Sequence, residues 1–322
     1  MLICSKMFKS HNEESTFFIK AINVMENVFD TLIITLFCIE CLHYRRAIQA
    51  FLNDVATVLN KFKPKIDTLI ISSVKYALAT VIVLLSIQVI LTAKMVYGEE
   101  FLDALLTIFT LNIPLTLSTV LVIQYCFFAS LILLSIKEIR FTLNCYLNPQ
   151  ITDIVGSHDK MLQHVPDIDS IRRTHMSVSL LLDHLHRLVG IVLIVFLAGT
   201  FVNFNIDFLD IYRLFNSERA TFWLNVELMG FMVLRIGKAF MIVVPNTLIK
   251  KENQQISIIL CKLSEKDVMR SSDSIDKFFR QLTELSNVQW ICGTIELGMP
   301  LLVAMLSLLT TYMIVLMQFD KS

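Results

Sequence analysis

Long uninterrupted apolar runs, and no sustained alternation with a period of two, set the pattern of this chain. Six stretches hold the roughly 20 mostly apolar residues that a helix needs to cross a hydrocarbon core. They lie at about 23–43, 68–95, 104–136, 178–204, 222–245 and 290–319. More polar segments at 44–67, 137–177 and 246–289 fall between alternate runs. The pattern predicts an all-α, polytopic helical membrane protein whose spans form one membrane domain over residues 1–322. The spacing is irregular, with no internal repeat of a duplicated transporter and no low-complexity linker.

Two runs are longer than a bilayer is thick. The fourth opens with Ser177 to Leu182, is interrupted by Asp183-His184-Leu185-His186-Arg187, and reads as continuously apolar only from Leu188 to Val202. At about 1.5 Å per residue it would reach about 40 Å, so its first turns are expected to stand out of the membrane as an extended helix. In the last run Gln289 to Glu296 is mixed in character. Gly298-Met299-Pro300 then supplies a flexible residue and a helix breaker before Leu301 to Met317. The expectation there is a helix outside the membrane followed by a short span.

Composition agrees. Hydrophobic residues make up 55% of the chain and charged ones 17%. A soluble domain carries about a quarter charged. Formal net charge is zero, so no basic excess points to nucleic acid. The seven cysteines are scattered, and Cys38-Ile-Glu-Cys41 has no second pair at metal-site spacing. His184 and His186, two apart on a helix, project in opposed directions and make a poor metal chelate. No Ser/His/Asp set, glycine-rich phosphate loop or paired-carboxylate site is present, so the reading is of no enzyme, with no cofactor and no metal. No apolar signal-peptide core follows Met1 before Lys6 and Lys9.

Loop charge sets orientation, because Lys and Arg are retained on the cytoplasmic side. Arg45, Arg46, Lys61, Lys63 and Lys65 follow the first run; Lys137, Arg140, Lys160, Arg172 and Arg173 follow the third; Lys250, Lys251, Lys262, Lys266, Arg270, Lys277 and Arg280 follow the fifth. The alternate loops, including Asn205 to Arg219, hold only Lys94, Arg213 and Arg219. The basic loops are therefore expected in the cytoplasm and the C-terminus outside. That disfavours a heptahelical G-protein-coupled receptor. Six spans would also leave the N-terminus outside, so a further span upstream of this sequence is expected.

The end of the last run carries a motif. Thr311-Tyr312, five apolar residues and Gln318-Phe319 resemble the T-Y-(five apolar)-Q-F signature that closes the last span of the insect gustatory receptor family. Gln289-Trp290-Ile291-Cys292-Gly293 looks like that family's lead into the span, and Leu185 to Gly190 in the overlong fourth run is similar to its fifth span. The resemblance covers essentially the whole chain, with six spans here against seven in the family. It implies a taste receptor of the plasma membrane acting as a ligand-gated, non-selective cation channel. Homo- or hetero-tetramers with other gustatory receptors would surround one pore lined by the last span. A cytoplasmic anchor would come from helical extensions, and a small-molecule tastant would bind in the outer half of each subunit. Membrane lipid and permeating cations are the remaining implied partners.

Helix geometry places Ser307, Thr311, Ile314 and Gln318 within a stripe of roughly 60°. Polar side chains facing lipid are costly, so a stripe polar at three positions and apolar at Ile314 suits a water-filled conduit with one dry constriction. The alternative is that the hydroxyls bond the helix's own i−4 carbonyls and Gln318 reaches the interface. Phe319 lies about 100° from Gln318, yet the motif sets it at the pore mouth as a gate candidate. Tyr312 faces away, as a packing residue.

Polar residues in the expected outer halves are candidate ligand contacts. Asp30, Gln88, Asn112, Trp223 and Glu227 are the main ones, with Glu26, Thr107, Thr110 and Asn225 nearby. Trp223 also suits an interfacial anchor. Arg235 and Lys238, three apart on one face, are expected to snorkel or to pair with acidic residues of the anchor. Two other readings stay open: a secondary transporter, for which only the break at 298–300 speaks, and a truncated receptor fragment that does not conduct.

Overall fold

The computed structural model describes residues 45–60, 113–147, 167–215, 222–266, 272–285, 290–291 and 295–320, with single positions between 28 and 43 and between 75 and 93. In chain order these form α1 (Arg45–Asn60), α2 (Ile113–Leu147), α3 (Ile168–Phe215), α4 (Phe222–Lys266), α5 (Ser272–Leu285), β1 (Trp290–Ile291), β2 (Ile295–Glu296) and α6 (Met299–Asp320). The described positions between 28 and 43 and between 75 and 93 are helical too. Three of these helices are long and apolar enough to cross a membrane, over Leu115–Leu147, Ile168–Leu209 and Met229–Glu265; α6 holds a shorter apolar stretch, Met299–Val315.

Length separates these helices from simple spans. Helix α3 has 48 residues and α4 has 45. At the rise of an α-helix they are about 72 Å and about 68 Å long, against a hydrocarbon core of about 30 Å. The extended helix read from the fourth run is present. Residues 246–266, which lie between expected spans, continue α4 without interruption, and Asn205 to Phe215, read as an external loop, continue α3. Neither segment contains a glycine or proline, so nothing local stops the helix.

A seven-residue spacing explains why α2, α3 and α4 stay together over this length. Val122, Ala129, Ile136 and Leu143 on α2 are all buried; so are Ile171, Val178, Leu185 and Val192 on α3, and Ile242, Ile249, Ile256 and Leu263 on α4. Seven residues are nearly two turns, so each seam keeps facing its partners, as in a coiled coil. Burying such a Leu or Ile stabilises by about 1.5–3 kcal/mol where the alternative is water. In lipid that term is absent and close packing replaces it, so the same seam gives cohesion inside the membrane and hydrophobic burial outside it.

Shorter helices flank the seam. On α1, Phe51, Val55 and Val58 form one buried stripe against α3, and the ring of Phe51 meets Phe128 edge-on at 5.1 Å between centroids. On α5, Ile275, Phe278, Gln281 and Leu282 turn inward against α3 and α4. Asp273 pairs with Lys277 one turn on along the exposed face.

The lead into α6 differs from the sequence expectation. Residues 290–296 contain an antiparallel pair of short strands, with Trp290 opposite Glu296 and Ile291 opposite Ile295, in place of the expected extramembrane helix. Aromatic and β-branched residues around a central glycine suit a hairpin better than a helix. The run expected to span from 290 therefore becomes helical only at Met299. Pro300 stands in the first turn, where its missing N–H costs nothing, so it starts the helix instead of breaking one.

Candidate functional site

The last helix rests on the bundle along a narrow seam. Leu309 and Met313 are buried on α6, with Leu301 and Leu302 partly buried beside the main core, while Ser307, Thr311, Ile314 and Gln318 all lie on its exposed side. Thr311 Oγ1 donates to the Ser307 carbonyl at 3.1 Å, and Thr310 Oγ1 donates to the same carbonyl at 2.7 Å. The donors are thus used within the helix, as the alternative reading expects for Thr311, and the hydroxyl oxygens keep accepting capacity outward. Exposure is not confined to this stripe. Val303, Leu306, Leu308 and Tyr312 are exposed as well, so Tyr312 is not buried within the bundle.

The base of α6 is pinned to two neighbours. Thr247 Oγ1 on α4 accepts from the Met299 backbone N–H at 3.1 Å and donates to its own Val243 carbonyl at 3.1 Å. Lys250, one turn further along α4, forms an ion pair with Glu296 on β2. On the other strand Ile291 is fully buried against α3 at Gly190, where an added Cβ would stand 2.6 Å from Ile291 Cγ2. That approach needs a glycine. The hairpin and the start of α6 are therefore held on α3 and α4 together.

Higher in the bundle sits a buried charged cluster. Arg235 on α4 forms an ion pair with Asp207 on α3, and the same guanidinium donates to the Asn203 carbonyl at 3.0 Å. Lys238, only 2% exposed, reaches α2, where its ammonium donates to the Leu115 carbonyl at 3.2 Å and to Ser118 Oγ at 3.1 Å. The partners described for both cations lie on neighbouring helices within the bundle. Both turn inward and tie α4 to its neighbours. Asn205 Nδ2 donates to the Phe201 carbonyl at 2.7 Å, and the side-chain oxygens of Asn203 and Asn205 are buried without a hydrogen-bond partner among the described residues.

A polar node joins the same three helices further along. The Tyr125 hydroxyl on α2 lies 3.1 Å from His186 Nε2 on α3 and accepts from Asn246 Nδ2 on α4 at 2.6 Å. Pro245 lies inside α4, one residue before this amide. It lacks the N–H that would meet the Met241 carbonyl. Next to it, Asn246 donates a second side-chain bond to the Ile242 carbonyl at 2.8 Å. His184 faces the other way, with its ring edge-on to Phe51 of α1 and its Nδ1 3.9 Å from Asp54. The two histidines diverge as their spacing requires.

Outside the apolar run, the extensions of α3 and α4 meet α5 at His175. Gln281 Nε2 donates to His175 Nδ1 at 3.3 Å, and His175 Nε2 lies 3.2 Å from Asn253 Oδ1. That pair of contacts fits a neutral ring protonated on Nε2. Burial depresses the imidazole pKa to about 4, with the Asn253 contact opposing it. Gln281 is fixed in turn by the Arg172 carbonyl, to which it donates at 3.2 Å. Nearby, Arg140 on α2 pairs with Glu252 on α4 at 3.0 Å.

The five sequence candidates for ligand contact are not brought together among the described residues. Asp30, Gln88 and Asn112 lie outside them, as do Glu26, Thr107 and Thr110, and the side chains of Trp223, Glu227 and Phe319 are also outside the described set. Asp207, Asn203, Ser118, Tyr125 and Asn246 are missing from the sequence reading. The seven-residue seams would have signalled two of them, since Asn246 lies four residues past Ile242 and Tyr125 three past Val122, on the inward face.

Comparison with known proteins bears directly on this arrangement. The profile of the family described as 7tm chemosensory receptor matches residues 1–322. Over 163 residues, 49% of this chain, the sequence is 25% identical to a Drosophila melanogaster protein named "Putative gustatory receptor 59f", and the match spans 39% of that relative's length. An all-helical core, apolar helices long enough to cross a membrane and a match over the full sequence agree, and the chain belongs to the 7tm chemosensory receptor family.

Proposed function

We propose that the protein is a gustatory receptor of the plasma membrane that acts as a ligand-gated, non-selective cation channel, with α6 as the wall of its pore. The observation that carries this reading is the packing of α6: Leu309 and Met313 anchor it, while Ser307, Thr311, Ile314 and Gln318 all face away from the bundle. Several copies arranged around one axis would enclose that stripe. Water would then be held by the hydroxyl and amide groups and interrupted at Ile314, which gates by dewetting. Glutamine brings a dipole and no net charge, which selects weakly among cations, and Phe319 sits at the mouth.

Homo- or hetero-tetramers with other gustatory receptors fit this geometry, held by α5 and the extensions of α3 and α4. A small-molecule tastant would enter from the extracellular side, with Asp30, Gln88, Asn112, Trp223 and Glu227 as contacts. Glu227 lies eight residues, about 12 Å, from Arg235 along α4. A ligand held near it would be within reach of elements tied to the buried charged cluster.

The test is calcium imaging and patch recording of transfected cells against a tastant panel, with and without a partner receptor. Gln318→Ala and Ile314→Ala should change conductance or resting leak. Agonist currents that survive both substitutions with unchanged leak and ion selectivity would remove α6 from the pore.

A further inference from the structure

A groove of about 230 Å³ separates α6 from α3 and α4, and no polar surface lines it. Phe201 and Phe204 form its wall on α3, Phe240 its wall on α4, and Met299, Val303 and Leu306 its side on α6. Val303 and Leu306 are 66% and 59% exposed, so the groove opens outward from the bundle. Its floor follows α6 from Met299 to Leu309. At the rise of an α-helix that is about 15 Å.

These dimensions and this chemistry identify an occupant. Apolar cavities stay dry, and a void left open forfeits the dispersion contacts of its lining. A helix about 10 Å across cannot enter this volume and could only roof it, whereas a hydrocarbon chain lies along it. The mouth adds a charge. The Met299 end is bonded to Thr247, and Lys251, four residues past Thr247 and on the same face of α4, is exposed; Lys250 beside it pairs with Glu296. An ammonium at the end of an apolar channel suits an anionic headgroup.

We infer that the groove is a lipid site. It holds one acyl chain of an anionic phospholipid drawn from the leaflet at the Lys250 end of α4, with the headgroup on Lys251. The chain lies between α6 and the bundle, so it sets how closely the last helix approaches α3 and α4.

The full chain, reconstituted in phosphatidylcholine nanodiscs, is irradiated with phosphatidylserine carrying a diazirine midway along one acyl chain, and labelled peptides are mapped by mass spectrometry. Label should concentrate on 200–204, 236–240 and 299–309, above the level at the exposed Ile113 on α2, a helix that does not line the groove. Val303→Trp, at the exposed rim, should cut groove label several-fold and leave label elsewhere unchanged. Lys251→Glu should lower labelling by the phosphatidylserine probe more than by a phosphatidylcholine probe of the same chain. Leu306→Trp serves as a second filling variant if the first fails to reach the membrane. Label no higher in the groove than at Ile113, or unaffected by either tryptophan, overturns the proposal. None of these readouts needs a current, so the outcome is independent of channel activity.

Discussion

Arg235 on α4 and Asp207 on α3 form a buried ion pair, with both side chains largely shielded from solvent. A buried pair is at best a modest net contributor to stability, but removing one member strands the other, at a typical cost of about 3–5 kcal/mol. Arg235→Met and Asp207→Leu should each lower the thermal midpoint of the detergent-solubilised protein strongly. The double variant should lose less than the two single losses added together. Additive losses in a scanning-fluorimetry cycle would show that the two residues do not act as a pair.

Gly190→Ala tests the contact that seats the hairpin. The new methyl would meet Ile291 Cγ2 at 2.6 Å. Crowding of this kind costs about 1–3 kcal/mol. Ile291→Ala removes the obstructing carbon and should recover part of that loss when combined with Gly190→Ala. Stability measured in the four-member cycle decides the matter. No recovery means that the hairpin docks elsewhere.

Acid should loosen α5. An ordinary imidazole titrates near pH 6.5 and docked His175 near 4, so between these values the undocked ring binds a proton that the docked one excludes. Docking is complete above about pH 6.5 and weakens as pH falls, by up to about 3 kcal/mol at about pH 4. The stranded contact is specific, because a proton on Nδ1 would face the Gln281 amide that donates to it. Limited proteolysis within 272–285 should accelerate from about pH 7 to about pH 5.5, above the range where most carboxylates titrate. His175→Gln should flatten that slope, and an unchanged slope would acquit the histidine.

The direction of α6 through the membrane has its own assay. An epitope appended after Ser322 should stain on unpermeabilised cells, and one inserted at 267–271 should stain only after permeabilisation. The opposite pattern would invert the orientation drawn from the basic loops.

Much of the helical framework is legible in the apolar runs, because a segment of about 18 or more apolar residues admits few other structures. The overlong fourth run already reads as a helix leaving the membrane. What escapes the reading is helix that continues through polar sequence: Asn205 to Phe215 holds Asn205, Asp207 and Arg213, which resemble loop residues until Asp207 is seen to meet Arg235. The hairpin at 290–296 is obscured because Trp290, Ile291 and Ile295 add to the apolar count of the run that follows. Of the candidate site, the stripe Ser307, Thr311, Ile314, Gln318 follows from one helix's periodicity and does lie on one exposed side. The Tyr125–His186–Asn246 node needs three helices in register, and no spacing within any one of them encodes that.

The hydroxyl of Thr247 makes the root of α6 a fulcrum. From Met299 to Gln318 the helix is an arm about 28 Å long. It is held at the root by Thr247 and by the hairpin and rests on the bundle at Leu309 and Met313, and at Gln318 it is exposed. A change of about 5° in its inclination moves Gln318 by about 2.5 Å, close to the diameter of a water molecule, while the root barely shifts. Any small rearrangement of α4 around Pro245, two residues from the fulcrum, would thereby be magnified at the far end of the last helix.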